Sequence, residues 1–144
     1  MEKDKTDMAL QIIHVALGTR SYDIRIRRGL VNDLGVELTR LCRIGKVGVI
    51  TDRNLVSHYL KPVMRALKAA GFTVIPIILP PGERTKTLRS IAKVMDALVE
   101  ARFERSSTLL ALGGGVVGDL TGFAAAIYQR GIPFVQVPTS LVAQ

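Results

Sequence analysis

From Ser106 to Gln144 the chain runs for 39 residues with only two charged side chains, Asp119 and Arg130. A stretch so poor in charge folds mostly into an interior, and a charge kept there needs a partner or a task. Its pattern is regular. Thr108–Leu112 reads as a buried strand, Gly113-Gly114-Gly115 as a turn, Val116–Ile127 as an apolar helix and Phe134–Val137 as a further strand. The same alternation extends upstream. Lys46–Thr51 and Thr73–Leu79 are strand patterns. Val56, Tyr59, Leu60, Val63, Leu67 and Ala70 recur at helical spacing, as do Leu88, Ile91, Ala92, Met95, Leu98 and Val99. Asn54 is a plausible cap for the first of these helices and Gly71 a plausible stop.

The order after residue 45 is therefore β-α-β-α-β-α-β. It predicts an α/β, Rossmann-like fold with a mostly parallel sheet and helices on both faces. Ahead of it, Leu30–Cys42 looks helical. The apolar run within Thr6–Ala16 and the alternation of Tyr22–Arg27 predict an N-terminal antiparallel strand pair. The chain's 144 residues give room for one domain, expected over 10–144, behind a flexible tail at 1–9.

Composition excludes several classes. No uncharged run approaches the ~20 residues of a membrane span. The leading MEKDKTD has no apolar core behind it and does not read as a secretory leader. A single cysteine, Cys42, allows no internal disulfide framework. These features lead to an expectation of a cytoplasmic protein with no membrane role. The net charge of +8 raises the question of nucleic acid. Only Arg25, Arg27 and Arg28 cluster tightly, there is no tryptophan, and the few aromatics do not interleave with cations. A solvated face, or attraction for small anions, is the preferred reading, with no nucleic-acid partner.

In a parallel sheet, ligands sit at the carboxyl ends of the strands. Four such ends carry unusual residues: Asp52-Arg53-Asn54, Pro80 to Lys86, Gly113 to Asp119, and Pro138-Thr139-Ser140. Gly113, Gly115 and Gly118 satisfy G-x-G-x-x-G between a strand and a helix, which lets backbone N–H groups approach phosphate oxygens. The alternative is that these glycines only allow close helix–sheet packing. No Asp or Glu follows Asp119, so the usual ribose-binding acid is missing, and Asp52 is the available substitute. Asp119 either stabilises its helix electrostatically or accepts hydrogen bonds from a ligand. Glu83 and Lys86 are either surface charges before a helix or a hydroxyl-and-phosphate pair. Arg130 is either one half of a structural salt bridge or a fork for an anion. His14, His58 and Cys42 have no metal-ligand spacing, and nothing resembles a catalytic triad.

Three stretches taken together resemble the dehydroquinate synthases among the sugar phosphate cyclases. They are Pro81-Gly82-Glu83-Arg84-Thr85-Lys86, Gly113 through Ala125, and Tyr128-Gln129-Arg130-Gly131-Ile132-Pro133 with Gln136-Val137-Pro138-Thr139-Ser140-Leu141. The resemblance implies an N-terminal domain that binds NAD through Asp52, Arg53, Asn54, Glu83, Lys86, Gly114, Gly115, Val116, Asp119, Thr139 and Ser140, with Arg130 on the substrate. It implies conversion of 3-deoxy-D-arabino-heptulosonate 7-phosphate, a sugar phosphate, to 3-dehydroquinate and phosphate in the shikimate pathway. It further implies a homodimer, and zinc or another divalent metal whose ligands lie in a second domain absent from these residues. No catalytic or metal-ligating residue is assigned here, and the chain alone is expected to be inactive. The alternatives are another sugar phosphate cyclase, an iron-dependent alcohol or glycerol dehydrogenase, or a stand-alone nucleotide-binding module.

Overall fold

The computed structural model describes residues 9–144. The expected tail therefore lies, apart from its last residue, outside the described residues. Two strands open the chain, β1 (Gln11–Val15) and β2 (Tyr22–Ile26), paired antiparallel with Ile13 opposite Ile24. The expected helix over Leu30–Cys42 is shorter and divided. A 3-10 turn, Leu30–Asp33, precedes α1 (Leu34–Thr39). Gly29, at φ +75°, redirects the chain immediately before that turn.

From residue 46 the alternation appears as expected: β3 (Lys46–Asp52), α2 (Lys61–Ala69), β4 (Thr73–Leu79), α3 (Leu88–Glu100), β5 (Thr108–Gly113), α4 (Gly115–Ile127) and β6 (Phe134–Pro138). All four strands of this sheet are parallel, in the order β4-β3-β5-β6. Asn54 does not cap the helix that follows it. Its N–H donates to Asp52 Oδ1 at 2.8 Å, and a π-helical turn over Val56–Leu60 leads into α2.

Side-chain alternation along the strands builds two cores. Ile50, Leu109 and Ala111 face α3 and α4, meeting Ile91, Val94, Leu98, Leu120 and Ala124. Val47, Val49, Leu110 and Leu112 face α1 and α2, meeting Leu38, Val63 and Leu67. β3 and β5 are buried on both faces, which explains their unbroken apolar sequences. The two helical layers clamp the sheet from opposite sides. No helix among the described residues is long and apolar enough to cross a membrane.

The strand order places the site. The chain leaves β3 for β4 on one side of it, then crosses to β5 on the other side and continues outward to β6. The order thus reverses between β3 and β5, and a crevice opens at the carboxyl ends of those two strands.

Candidate functional site

Eleven of the twelve residues singled out from sequence gather at this carboxyl edge. Asp52 ends β3, with Arg53 and Asn54 just beyond it. Arg53 N–H donates to Leu79 O at 3.0 Å, which keeps the end of β3 against β4. Asp52 is half-buried, and Arg53 and Asn54 are exposed.

The turn after β4 carries Glu83 and Lys86. Gly82 stands at φ +90° and ψ 168°, a conformation open essentially to glycine alone. A 3-10 turn over Glu83–Thr85 follows, and Thr87 then caps α3 by accepting the Ser90 N–H at 3.2 Å. Glu83 and Lys86 are exposed, whereas Thr85 between them is 6% exposed.

The glycines after β5 divide into two kinds. A Cβ on Gly113 would lie 2.7 Å from Val117, and one on Gly118 would lie 3.1 Å from Gln136 Oε1. Those two glycines answer to packing. A Cβ on Gly114 would meet Ser140 Oγ at 3.2 Å, so that position brings the β6 end close to the turn. A Cβ on Gly115 would meet nothing within 4 Å, and its φ is not left-handed. Neither packing nor backbone conformation requires glycine there. What its missing side chain leaves is open approach to the backbone at the start of α4. Gly114 precedes α4 and makes no side-chain capping bond. The first N–H groups of a 13-residue helix therefore face the edge, with the favourable end of its dipole behind them.

Thr139 N–H donates to Gly113 O at 3.0 Å, fastening the end of β6 beside the glycine turn. Val116 and Asp119 lie in the first turns of α4. Asp119 Oδ2 accepts from Lys86 Nζ at 2.5 Å, joining the turn after β4 to the helix after β5. Because β3 lies between those strands, the bridge spans its carboxyl end. The hydrogen bond to Asp119, then the charge of Asp119, hold the Lys86 ammonium above its ordinary range, and the charge of Glu83 adds to this. Both partners are largely exposed, so water and salt screen the pair.

Arg130 does not join them. It follows α4, which runs away from the glycine turn, and precedes Phe134 at the start of β6. That is the opposite, amino edge of the sheet. Gln129 and Arg130 both adopt left-handed backbone, at φ +47° and +67°, ahead of Gly131 at +111°. Gln129 Nε2 and Tyr128 Oη both donate to Phe103 O, at 3.0 and 2.9 Å, and hold this bend. Among the described residues, Arg130 makes no ion pair.

Sequence reasoning missed Thr85 and Gln136. Each is an uncharged polar residue inside a segment read for its charges or apolar positions, and only the packing marks it. No group of three or more His, Cys, Asp or Glu among the described residues is placed to hold a metal.

Most of these residues fall within 76–144, and those positions match the family model described as 3-dehydroquinate synthase N-terminal. That match covers 69 of the chain's 144 residues. The 3-dehydroquinate synthase of Rhizobium etli is 47% identical over 136 residues, 94% of this chain and 36% of that protein. The chain thus spans about a third of the length of the curated relatives it matches. Among solved structures, a 2-deoxy-scyllo-inosose synthase complexed with carbaglucose-6-phosphate, NAD+ and Co2+ superposes with a TM-score of 0.84. It is 20% identical, covering 92% of this chain and 36% of that one, and supports the fold. The 2-epi-5-epi-valiolone synthase of Streptomyces hygroscopicus, solved with NAD+ and Zn2+, is 28% identical. Its TM-score is 0.73, covering 88% of this chain and 35% of that one.

Proposed function

We propose that this chain is the NAD-binding N-terminal part of a 3-dehydroquinate synthase, which acts on the sugar phosphate 3-deoxy-D-arabino-heptulosonate 7-phosphate. The observation that carries this reading is the open approach at Gly115, at the bare start of α4 and beside the reversal in strand order. A phosphate-bearing ligand fits such a place, and a packing role does not account for the glycine there. The relative from Streptomyces hygroscopicus, solved with NAD+, supports the choice of ligand.

In this reading the N–H groups of Gly115 and Val116, with Gly114, neutralise the pyrophosphate. Asp52 accepts ribose hydroxyls, and Arg53 and Asn54 border them. Glu83, Lys86 and Asp119 hold the ribose and amide at the nicotinamide end, with Thr139 and Ser140 closing the far side. Bound there, NAD supplies a hydride acceptor for a substrate alcohol and later returns the hydride. This chain's residues bind and orient; none of them is assigned a proton transfer. We assign the divalent metal and the other substrate contacts to the further length that the relatives possess. Arg130 cannot share a ligand with the carboxyl edge of its own chain. A substrate role for it therefore needs another copy's site to approach the amino edge, in keeping with a homodimer. A cytoplasmic location without nucleic-acid or membrane partners completes the reading.

A calorimetric titration of the 144-residue chain with NAD tests it, with ATP as competitor. Saturable binding is expected. Asp119→Ala should weaken it about tenfold or more, the scale of a hydrogen bond to a charged group. A chain shown to be folded by circular dichroism that takes up no NAD would overturn the reading.

A further inference from the structure

We propose that Thr85 is a positioning residue of the site, the anchor that sets where Glu83 and Lys86 stand. The turn from Pro80 to Thr87 has no other internal support of this kind. Its residues are exposed throughout, except Thr85 at 6%. A chain segment that exposed gains almost nothing from apolar burial, so its shape rests on hydrogen bonds. Thr85 makes three of them. Its Oγ1 donates to Pro80 O at 2.8 Å, closing the turn onto its own first residue. Its N–H donates to Gly82 O at 3.1 Å, and its carbonyl accepts the Thr87 N–H at 2.8 Å. Only the first comes from the side chain, and only the first ties the tip of the turn back to Pro80, the residue that follows β4.

The consequence follows from sequence distance. Glu83 lies two positions before Thr85 and Lys86 one after it, so fixing Thr85 fixes the backbone of both. Gly82 supplies the sharp entrance, at a φ of +90° with no atom within 4 Å of a would-be Cβ. That entrance alone leaves the turn free to pivot. With the hydroxyl bond in place, Lys86 Nζ reaches Asp119 Oδ2 at 2.5 Å across the end of β3. Without it, the backbone hydrogen bonds inside the turn and an exposed ion pair worth little by itself have to hold the turn against the sheet. The hydroxyl therefore acts on the site through Lys86 and touches no ligand directly.

This inference rests on the cofactor reading for its consequence in binding, but part of its test does not. The test compares the wild-type chain with Thr85→Val, which keeps the shape and removes the hydroxyl, and with Thr85→Ser, which keeps the hydroxyl. Thr85→Ala serves as a second deletion should the valine variant prove poorly folded. The first readout is the titration of the Lys86 ammonium by nuclear magnetic resonance, without ligand. Asp119 and Glu83 are the charges that face it. Wild type and Thr85→Ser should titrate above the ordinary lysine range, and Thr85→Val should fall back toward it. The second readout is NAD affinity by calorimetry. A loss of roughly five- to tenfold in Thr85→Val, the worth of one net hydrogen bond, should be restored by serine. In the valine background, Lys86→Met should cost little more, because the lysine has already lost its place.

A Thr85→Val chain in which Lys86 titrates as in wild type overturns the inference. So does a serine variant that behaves like valine. Wild type that binds no NAD overturns the cofactor reading instead, and the lysine titration still decides the role of Thr85.

Discussion

Gly115 and Gly113 stand two residues apart in one turn and should answer differently to the same substitution. Gly115→Ala adds a methyl group where nothing lies within 4 Å. It also replaces glycine in the first turn of a helix, so stability should hold or rise by up to about 1 kcal/mol. NAD affinity should nonetheless fall at least tenfold, because the methyl occupies the approach to the backbone. Gly113→Ala pushes against Val117 at 2.7 Å and should cost about 1–3 kcal/mol of stability. Thermal melts and calorimetry on the two variants separate the effects, and unchanged NAD affinity in Gly115→Ala would remove the phosphate role. The sequence made the glycine pattern visible but left packing and ligand approach undecided. Spacing does not report which direction a missing Cβ would have taken. The Lys86–Asp119 bridge was likewise beyond reach, since its partners lie 33 positions apart and only the strand order brings them together.

At the scale of elements, the tightest glycine contact among the described residues is where α1 meets α2. A Cβ on Gly35 would lie 2.1 Å from Ala66 O and 2.7 Å from Ala70 Cβ. The first obstacle is backbone, which cannot rotate aside, so Gly35→Ala should force the helices apart at a cost of about 2–3 kcal/mol. Urea denaturation measures that loss. NAD binding should survive under native conditions, because this contact lies on the helical layer opposite α3 and α4. Nothing in the spacing of Leu30–Cys42 flags Gly35, and the split of that predicted helix at Leu34 was equally hidden. The basic cluster near Arg25 was legible as charge but not as structure. Arg25 pairs with buried Glu37 at 2.5 Å, and Arg27 pairs with Asp33, so two of its cations act within the fold. The Asn54 cap failed for a comparable local reason: the Asp52 carboxylate, two residues earlier, takes the Asn54 N–H. β3 and β5 were readable because burial on both faces writes itself into continuous apolar runs, and α2 and α3 because one buried face writes an apolar stripe at helical spacing.

For the whole molecule, alternation of strands and helices specifies a parallel sheet but not the order of its strands. That order, β4-β3-β5-β6, turns four separate sequence segments into one edge. A ligand held by the ends of β3, β5 and β6 and by the turn after β4 contacts most of the sheet at once. Such a ligand binds the folded chain and not the unfolded one, so it must stabilise the whole domain. At a free NAD concentration about a hundredfold above Kd, the gain is about 2.7 kcal/mol. For a domain of this size that corresponds to a rise of roughly 5–10 °C in Tm. The melting temperature should climb with the logarithm of NAD concentration and flatten in Asp119→Ala. Turnover should not accompany this stabilisation. The described residues include no cluster fit for a metal, and Arg130 lies at the sheet edge opposite the one where NAD would sit. A phosphate-release assay with 3-deoxy-D-arabino-heptulosonate 7-phosphate, NAD and zinc should therefore read at background for the 144-residue chain. Phosphate released in step with an NAD-dependent rise in Tm would mean that these residues suffice for the chemistry, and the division of labour proposed for them would fall.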